Sequence, residues 1–178
     1  MWWQPNTLAL LALASMMALQ ACGFEPVYGR RRYDAKYERA ELLMAVDVKA
    51  PPGKLSELFK ARLEDHLNPK GRNIKAQYVL DVDIKSNAEP DVIELDGTAS
   101  RYTIRYVAPF KLRTRDSGKE IDSGTITRLV SYNVSQQDDY STFIAREAAQ
   151  KRGMTELAED FKMRVAAAMH KLIKQHDK

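Results

Sequence analysis

Cysteine is almost absent from this chain, and its scarcity excludes several kinds of site. The 178 residues contain a single cysteine, so no internal disulfide and no paired-thiol redox or zinc motif can form. Of the three histidines, His170 and His176 miss the i, i+4 spacing of a helical metal pair. No glycine-rich phosphate loop and no Ser/His/Asp or Cys/His set is found. The sequence therefore predicts no enzyme, no metal site and no cofactor.

Charged residues are missing from the first 21 positions, where apolar residues dominate. Residues 7–21 have the length of a signal-peptide core and fall short of the roughly 20 apolar residues that a spanning helix needs. The run ends in the letters LQAC, with Cys22 last. This ending is similar to the lipobox of bacterial lipoproteins, although Gln20 is an imperfect match. In that pattern the cysteine thiol receives a diacylglycerol, and cleavage then makes it the first residue.

This interpretation predicts three parts of the chain. Residues 1–21 are a lipoprotein signal peptide, residues 22–40 an acylated tether, and residues 41–178 a single domain. Two or more acyl chains on Cys22 would anchor the protein stably to a membrane. The Gly23 that follows indicates delivery to the outer membrane, by analogy with the sorting rule of enteric bacteria. The alternative is an ordinary secretory signal with a free cysteine at its end by chance.

The excess of positive charge is small. The chain has 28 Lys and Arg against 24 Asp and Glu, a formal net charge of +4, all of it after Cys22. A mildly basic domain favours anionic partners, but this excess is far below that of a typical nucleic-acid-binding protein. We therefore expect no nucleic acid. Three consecutive arginines, Arg30 to Arg32, either rest on anionic lipid head groups or are simply solvated.

The domain alternates between helical and extended periodicity. A short strand is predicted around Met44, Val46 and Val48, and an amphipathic helix from Lys54 to Leu67. Residues 77–85 alternate as one strand, with Asp81 and Asp83 on its solvated face. A long helix begins near Asp138 and Asp139 and ends near Lys171 and Lys174, and Gly153 is expected to bend or weaken it. Residues 89–98 could be a hairpin turn or a bulge.

A long hairpin carries a row of cations. Between residues 101 and 115 apolar side chains alternate with basic ones, and the Asp-Ser-Gly turn at 116–118 returns the chain as a second strand. Pro109 predicts an edge strand or a bulge. The cations recur at multiples of roughly 7 Å, twice the rise of a strand. They either bind an anion such as a phosphorylated lipid or form a solvated face that resists aggregation. The candidate contact residues are Arg101, Arg105, Lys111 and Arg113.

The order of these features resembles the LptE family. The features are an acylated CGFEPVYG, a strand before a helix, a hairpin that contains SRYTIRYVAPFKLRT and SYNV, and a C-terminal amphipathic helix. The resemblance implies an α+β fold: a four-stranded, mainly antiparallel sheet with two helices packed on one face. It also implies an outer-membrane lipoprotein without catalytic activity, which plugs and helps assemble the LptD barrel and assists lipopolysaccharide insertion into the outer leaflet.

Two other functions stay open at this stage. A periplasmic lipid-binding lipoprotein would need an enclosed apolar cavity, whereas a plug has a filled core. A pilotin-like structural lipoprotein would serve a different outer-membrane barrel. Under the LptE resemblance the partners are an LptD-like barrel, the membrane through Cys22, and lipopolysaccharide. The basic row would meet either acidic residues of the barrel lumen or the phosphates of lipid A.

Overall fold

The computed structural model describes residues 41–93 and 99–176, which form one α+β unit. Residues 41–44 make a helical turn, so Met44 lies in this turn and not in the predicted first strand. None of the helices described in these ranges is both long and apolar enough to cross a membrane. The elements in chain order are β1 Val46–Lys49, α1 Lys54–Leu67, β2 Tyr78–Val82, β3 Lys85–Ile93, β4 Ala99–Thr114, β5 Glu120–Asn133 and α2 Asp139–His176.

The sheet has five strands, so the prediction of four is wrong in number. Strand β4 is central: β5 pairs with it along one side, and β2 and β3 pair with successive parts of its other side, all antiparallel. Strand β1 extends the sheet as the parallel neighbour of β2. The mainly antiparallel sheet that the resemblance implies is confirmed.

A proline explains the additional strand. Strands β2 and β3 keep one register against β4, because Val82 pairs with Phe110 and Lys85 with Val107. Between them the Asp83 N–H donates to the Pro109 carbonyl at 3.0 Å, but proline has no N–H to complete the pair. One row of the sheet is therefore interrupted, and the five strands occupy four rows. The prediction that Pro109 marks an edge strand or bulge is wrong, because it lies in the central strand opposite this break.

Both helices pack on one face of the sheet and enclose the core. The even-numbered side chains of β4 from Ile104 to Leu112 point into this core and are buried. At its centre the Phe161 ring meets Phe59 of α1 and Phe110 of β4 edge to face, at centroid distances of 5.1 and 5.3 Å. The predicted apolar stripes of both helices are thus core surfaces.

Helix α2 begins where the sequence predicts. The Asp138 carboxylate accepts hydrogen bonds from the N–H groups of Tyr140 and Ser141, at 3.0 and 3.1 Å, as an N-cap residue does. Gly153 has a different role from the expected bend: a Cβ there would lie 2.6 Å from the Tyr106 ring and 3.2 Å from Val130. The missing side chain lets the helix pack closely against the sheet.

Candidate contact surface on the open face of the sheet

The face of the sheet that points away from the helices carries the predicted basic row. We call this surface the open face. Along β4 the odd-numbered residues lie on it, and they alternate with the buried even-numbered ones. The structure therefore places Arg101, Arg105, Lys111 and Arg113 on one surface, as the alternation predicts.

Two arginines at one end of the row form ion pairs within the sheet. Arg113 Nε donates to Asp81 Oδ2 of β2 at 2.8 Å, and Arg115 Nη2 donates to Asp47 Oδ2 of β1 at 2.5 Å. Val79 lies between these pairs and is only 3% exposed, because long arginine stems shield apolar neighbours. Asp81 is thus a structural partner of Arg113, and part of the basic row is already neutralised.

Within residues 41–93 and 99–176, the remaining cations of the row form no ion pair with a carboxylate. Arg101 Nε donates to the neutral amide oxygen of Asn133 at 3.1 Å. Arg105 and Lys111 are exposed, and neither makes an ion pair or a side-chain hydrogen bond within the part of the chain that the structure describes. Positive charge on the open face is therefore concentrated at Arg101, Arg105 and Lys111.

Each of the two unpartnered cations borders a surface depression. One depression of about 300 Å³ is lined by Arg105 together with Thr103, Leu129 and Ser131, and by Glu89, Pro90 and Asp91 of β3, so two carboxylates border it as well. Its floor is polar, since the hydroxyls of Thr103 and Ser131 are 2.8 Å apart.

The second depression, of about 390 Å³, lies where β2 and β3 separate. Its lining includes two lysines, Lys49 and Lys111, and an apolar part formed by Pro51, Pro109 and Phe110. The carboxylates nearby are already engaged: Asp81 with Arg113, and Asp83 with Lys85 at 3.6 Å. The two lysines beside an apolar wall suit an anionic group, either a carboxylate or a phosphate, whereas the depression at Arg105 already contains the carboxylates of Glu89 and Asp91.

Residues 41–93 and 99–176 contain no cluster of His, Cys, Asp or Glu that could hold a metal ion. His170 of α2 is half-buried, and His176, to which the sequence likewise assigns no metal site, is the last residue of the helix. Cys22 lies outside the described residues, so its acylation stays a prediction.

Sequence reasoning missed two cations that fasten α2 to β5. Arg128 Nε donates to Asp160 at 2.9 Å, and this hydrogen bond raises the pKa of Arg128. Arg164 holds Asp122 with two hydrogen bonds, at 2.6 and 2.9 Å, which raise the pKa of Arg164 in the same way. The available signal was Arg128 itself, a charge at a position whose alternation points toward the helices.

Comparison with protein families gives a match to the model of the LptE family, described as lipopolysaccharide-assembly, over residues 43–165. This match covers well over half of the chain. The chain belongs to the LptE family. The family is non-enzymatic and consists of lipopolysaccharide-assembly lipoproteins, so the predicted family is confirmed. No curated protein sequence matches the chain.

Solved structures agree on the fold. A protein from Caulobacter crescentus CB15 described as a lipoprotein has a TM-score of 0.60 at 20% identity, covering 75% of this chain and 96% of its own. A minor lipoprotein from Acinetobacter baumannii gives 0.57 at 16% identity, with coverages of 68% and 90%. Rare lipoprotein B from Shewanella oneidensis gives 0.54 at 17%, with coverages of 72% and 98%. At these identities the likeness establishes a shared fold.

Proposed function

We propose that this LptE-family protein is a lipid-anchored component of lipopolysaccharide assembly at the periplasmic side of the outer membrane. The lipid on Cys22 holds the domain at the membrane. The folded body occupies the lumen of an LptD-like barrel, helps to assemble it, and assists the passage of lipopolysaccharide to the outer leaflet. Its role is structural, without catalysis.

The observation that supports this proposal is the unbalanced charge of the open face. On the helix side, Arg128 and Arg164 are each bonded to a carboxylate. On the open face, Arg101, Arg105 and Lys111 have no carboxylate partner among the described residues. A polar face with unmatched cations is suited to contact acidic groups on a barrel wall or the phosphates of lipopolysaccharide, since complementary charge aligns partners.

The test is a triple reversal of these cations. Arg101→Glu, Arg105→Glu and Lys111→Glu together should greatly reduce co-purification with a tagged LptD-like barrel, or binding of lipopolysaccharide to the purified protein. Arg113, the remaining candidate, is best reversed separately. Arg113→Glu also breaks the ion pair with Asp81 and places the new carboxylate next to that of Asp81, so the two repel each other. Unchanged behaviour of the triple variant in both assays would refute the role of the open face.

A matched control reverses three cations on the helix layer. Arg62, Lys151 and Lys162 are exposed on α1 and α2, so their replacement by Glu removes the same amount of positive charge away from the open face. We expect this control to retain partner binding. An equal loss in both triple variants would show that overall charge, and not the open face, controls the interaction.

The anchor is tested by Cys22→Ala. The variant should lose palmitate labelling and membrane association while the domain still folds, since the acyl chains supply the attachment.

The identity of the barrel that co-purifies distinguishes lipopolysaccharide assembly from a pilotin-like role. An acyl chain bound in the purified domain would instead favour a lipid-binding lipoprotein.

A further inference from the structure

Strand β5 has an outer edge that pairs with no other strand of the described sheet. In an antiparallel pair, residues whose N–H and C=O face the partner alternate with residues whose groups face away. The Val134 N–H donates to the Ser100 carbonyl at 2.9 Å, so the even-numbered residues of β5 face β4. The backbone groups of the odd-numbered residues therefore point outward. The Ser131 carbonyl is capped by Arg152 at 2.9 Å, which leaves Ser123–Leu129 open.

The other two edges are protected in ways that β5 is not. Strand β1 has only four residues, and Pro51 and Pro52 soon follow it. Strand β3 contains Pro90 and two register shifts, which interrupt regular pairing. The 14 residues of β5 include no proline and no lysine. A long, regular edge without such protection is the kind to which a further strand can be added.

A second copy of this chain does not fit this edge. Helix α2 lies over β5, where the Arg128–Asp160 and Arg164–Asp122 pairs hold it. Antiparallel pairing of two β5 strands would bring both α2 helices to the same side of one continuous sheet. Neighbouring strands are about 4.8 Å apart, whereas helices need about 10 Å, so the helices would collide. A partner at this edge must therefore be a single extended segment that carries no helix on the side of α2.

We propose that the outer edge of β5, over Ser123–Leu129, binds an extended peptide segment of another protein as an additional strand with acidic side chains on the open face. The regularly spaced outward N–H and C=O groups match a polypeptide backbone. The added strand would lie about 10 Å from β4. Leu129 lies directly opposite Arg105 on β5, and the shorter Thr127 is its diagonal neighbour. The long Arg105 side chain and a Glu of the added strand can therefore meet across Leu129 or past Thr127.

The test uses purified full-length protein without barrel or lipopolysaccharide, so its outcome is separate from that of the proposed function. A labelled peptide of alternating Glu and Thr, equal in length to the open stretch, should bind saturably in fluorescence polarisation. Thr127→Pro removes an outward N–H and leaves the bonds to β4 intact, so it should weaken binding about tenfold or more. Thr127→Val keeps the backbone donor and should bind like the wild type.

Two further probes address the chemistry of the occupant on the unaltered protein. The same peptide N-methylated at alternate residues should not bind, because it lacks the donors that face the edge, and a Lys-for-Glu version should bind more weakly. Absence of binding to the wild type, or equal binding of the N-methylated peptide, would overturn the proposal. A dimer in sedimentation that Thr127→Pro abolishes would overturn it too, in favour of a second copy. Equal affinity of a Thr127→Pro variant with an unchanged circular dichroism spectrum would do the same.

Discussion

The two faces of strand β4 meet different surroundings although both belong to one continuous stretch of the chain. The even-numbered side chains are buried under the helices, and the cations on that side, such as Arg128, are bonded to carboxylates. On the open face, Arg105 and Lys111 form no ion pair in the described part of the chain, although carboxylates border the same depressions. The residues that stabilise the fold and those proposed to bind a partner are thus separated by the two-residue period of one strand. Substitutions on the two faces should therefore have different consequences.

The largest effect should come from the centre of the helix-covered face. Phe161→Ala removes a fully buried ring that packs on Phe59 and Phe110, so the free energy of unfolding should fall by about 3 to 5 kcal/mol. Urea denaturation measures this free energy. Met163→Ala, two residues along the same helix and 69% exposed, should change it by less than about 0.5 kcal/mol. Similar values for the two variants would contradict this view of the core.

The next effect tests the close approach of α2 to the sheet. Gly153→Ala improves helix propensity by about 1 kcal/mol. The new methyl group, however, would lie 2.6 Å from the Tyr106 ring. Because such overpacking costs typically 1 to 3 kcal/mol, we expect the variant to be less stable than the wild type in thermal or urea unfolding. A gain in stability would instead show that the ring moves aside freely.

These two examples show why part of the fold could be predicted from sequence. Phe161 belongs to a stripe with helical spacing, and the faces of β4 follow from strict alternation, so local periodicity was enough. Gly153 was assigned only its local cost to a helix. Its actual contact is with Tyr106, 47 positions earlier, and depends on how the layers pack.

The same limit applies to the sheet and to the candidate site. The break between β2 and β3 arises because Pro109, on another strand, lacks a donor at that point of the register. Likewise, alternation put Arg105 and Arg113 on one face, but the partner of Arg113 depends on the alignment of β2 with β4. To predict contacts between strands one must know how the strands are aligned, and the periodicity within a single strand does not reveal this alignment.

A smaller effect should separate the cations of the two faces. Arg128 is part-buried against Asp160, so Arg128→Ala should lower the free energy of unfolding by about 1 kcal/mol, the upper range for partly exposed pairs. Arg105→Ala should change it by less than about 0.5 kcal/mol. A double-mutant cycle with Asp160→Ala isolates the Arg128 interaction. Equal losses for Arg105 and Arg128 would remove the distinction between the faces.

The smallest effect at neutral pH concerns the hydroxyl of Tyr106, which is buried and has no hydrogen-bond partner among the described residues. Tyr106→Phe should leave stability unchanged or slightly higher there, because an unsatisfied polar atom is removed. Burial raises the pKa of Tyr106 from 10.0 to about 12. In the unfolded chain this phenol ionises from pH 10.0 upward, so the wild type should lose stability as the pH rises from there through the folded value of about 12. Tyr106→Phe should flatten this alkaline decline in urea unfolding, whereas Tyr140→Phe, on the exposed start of α2, should retain it.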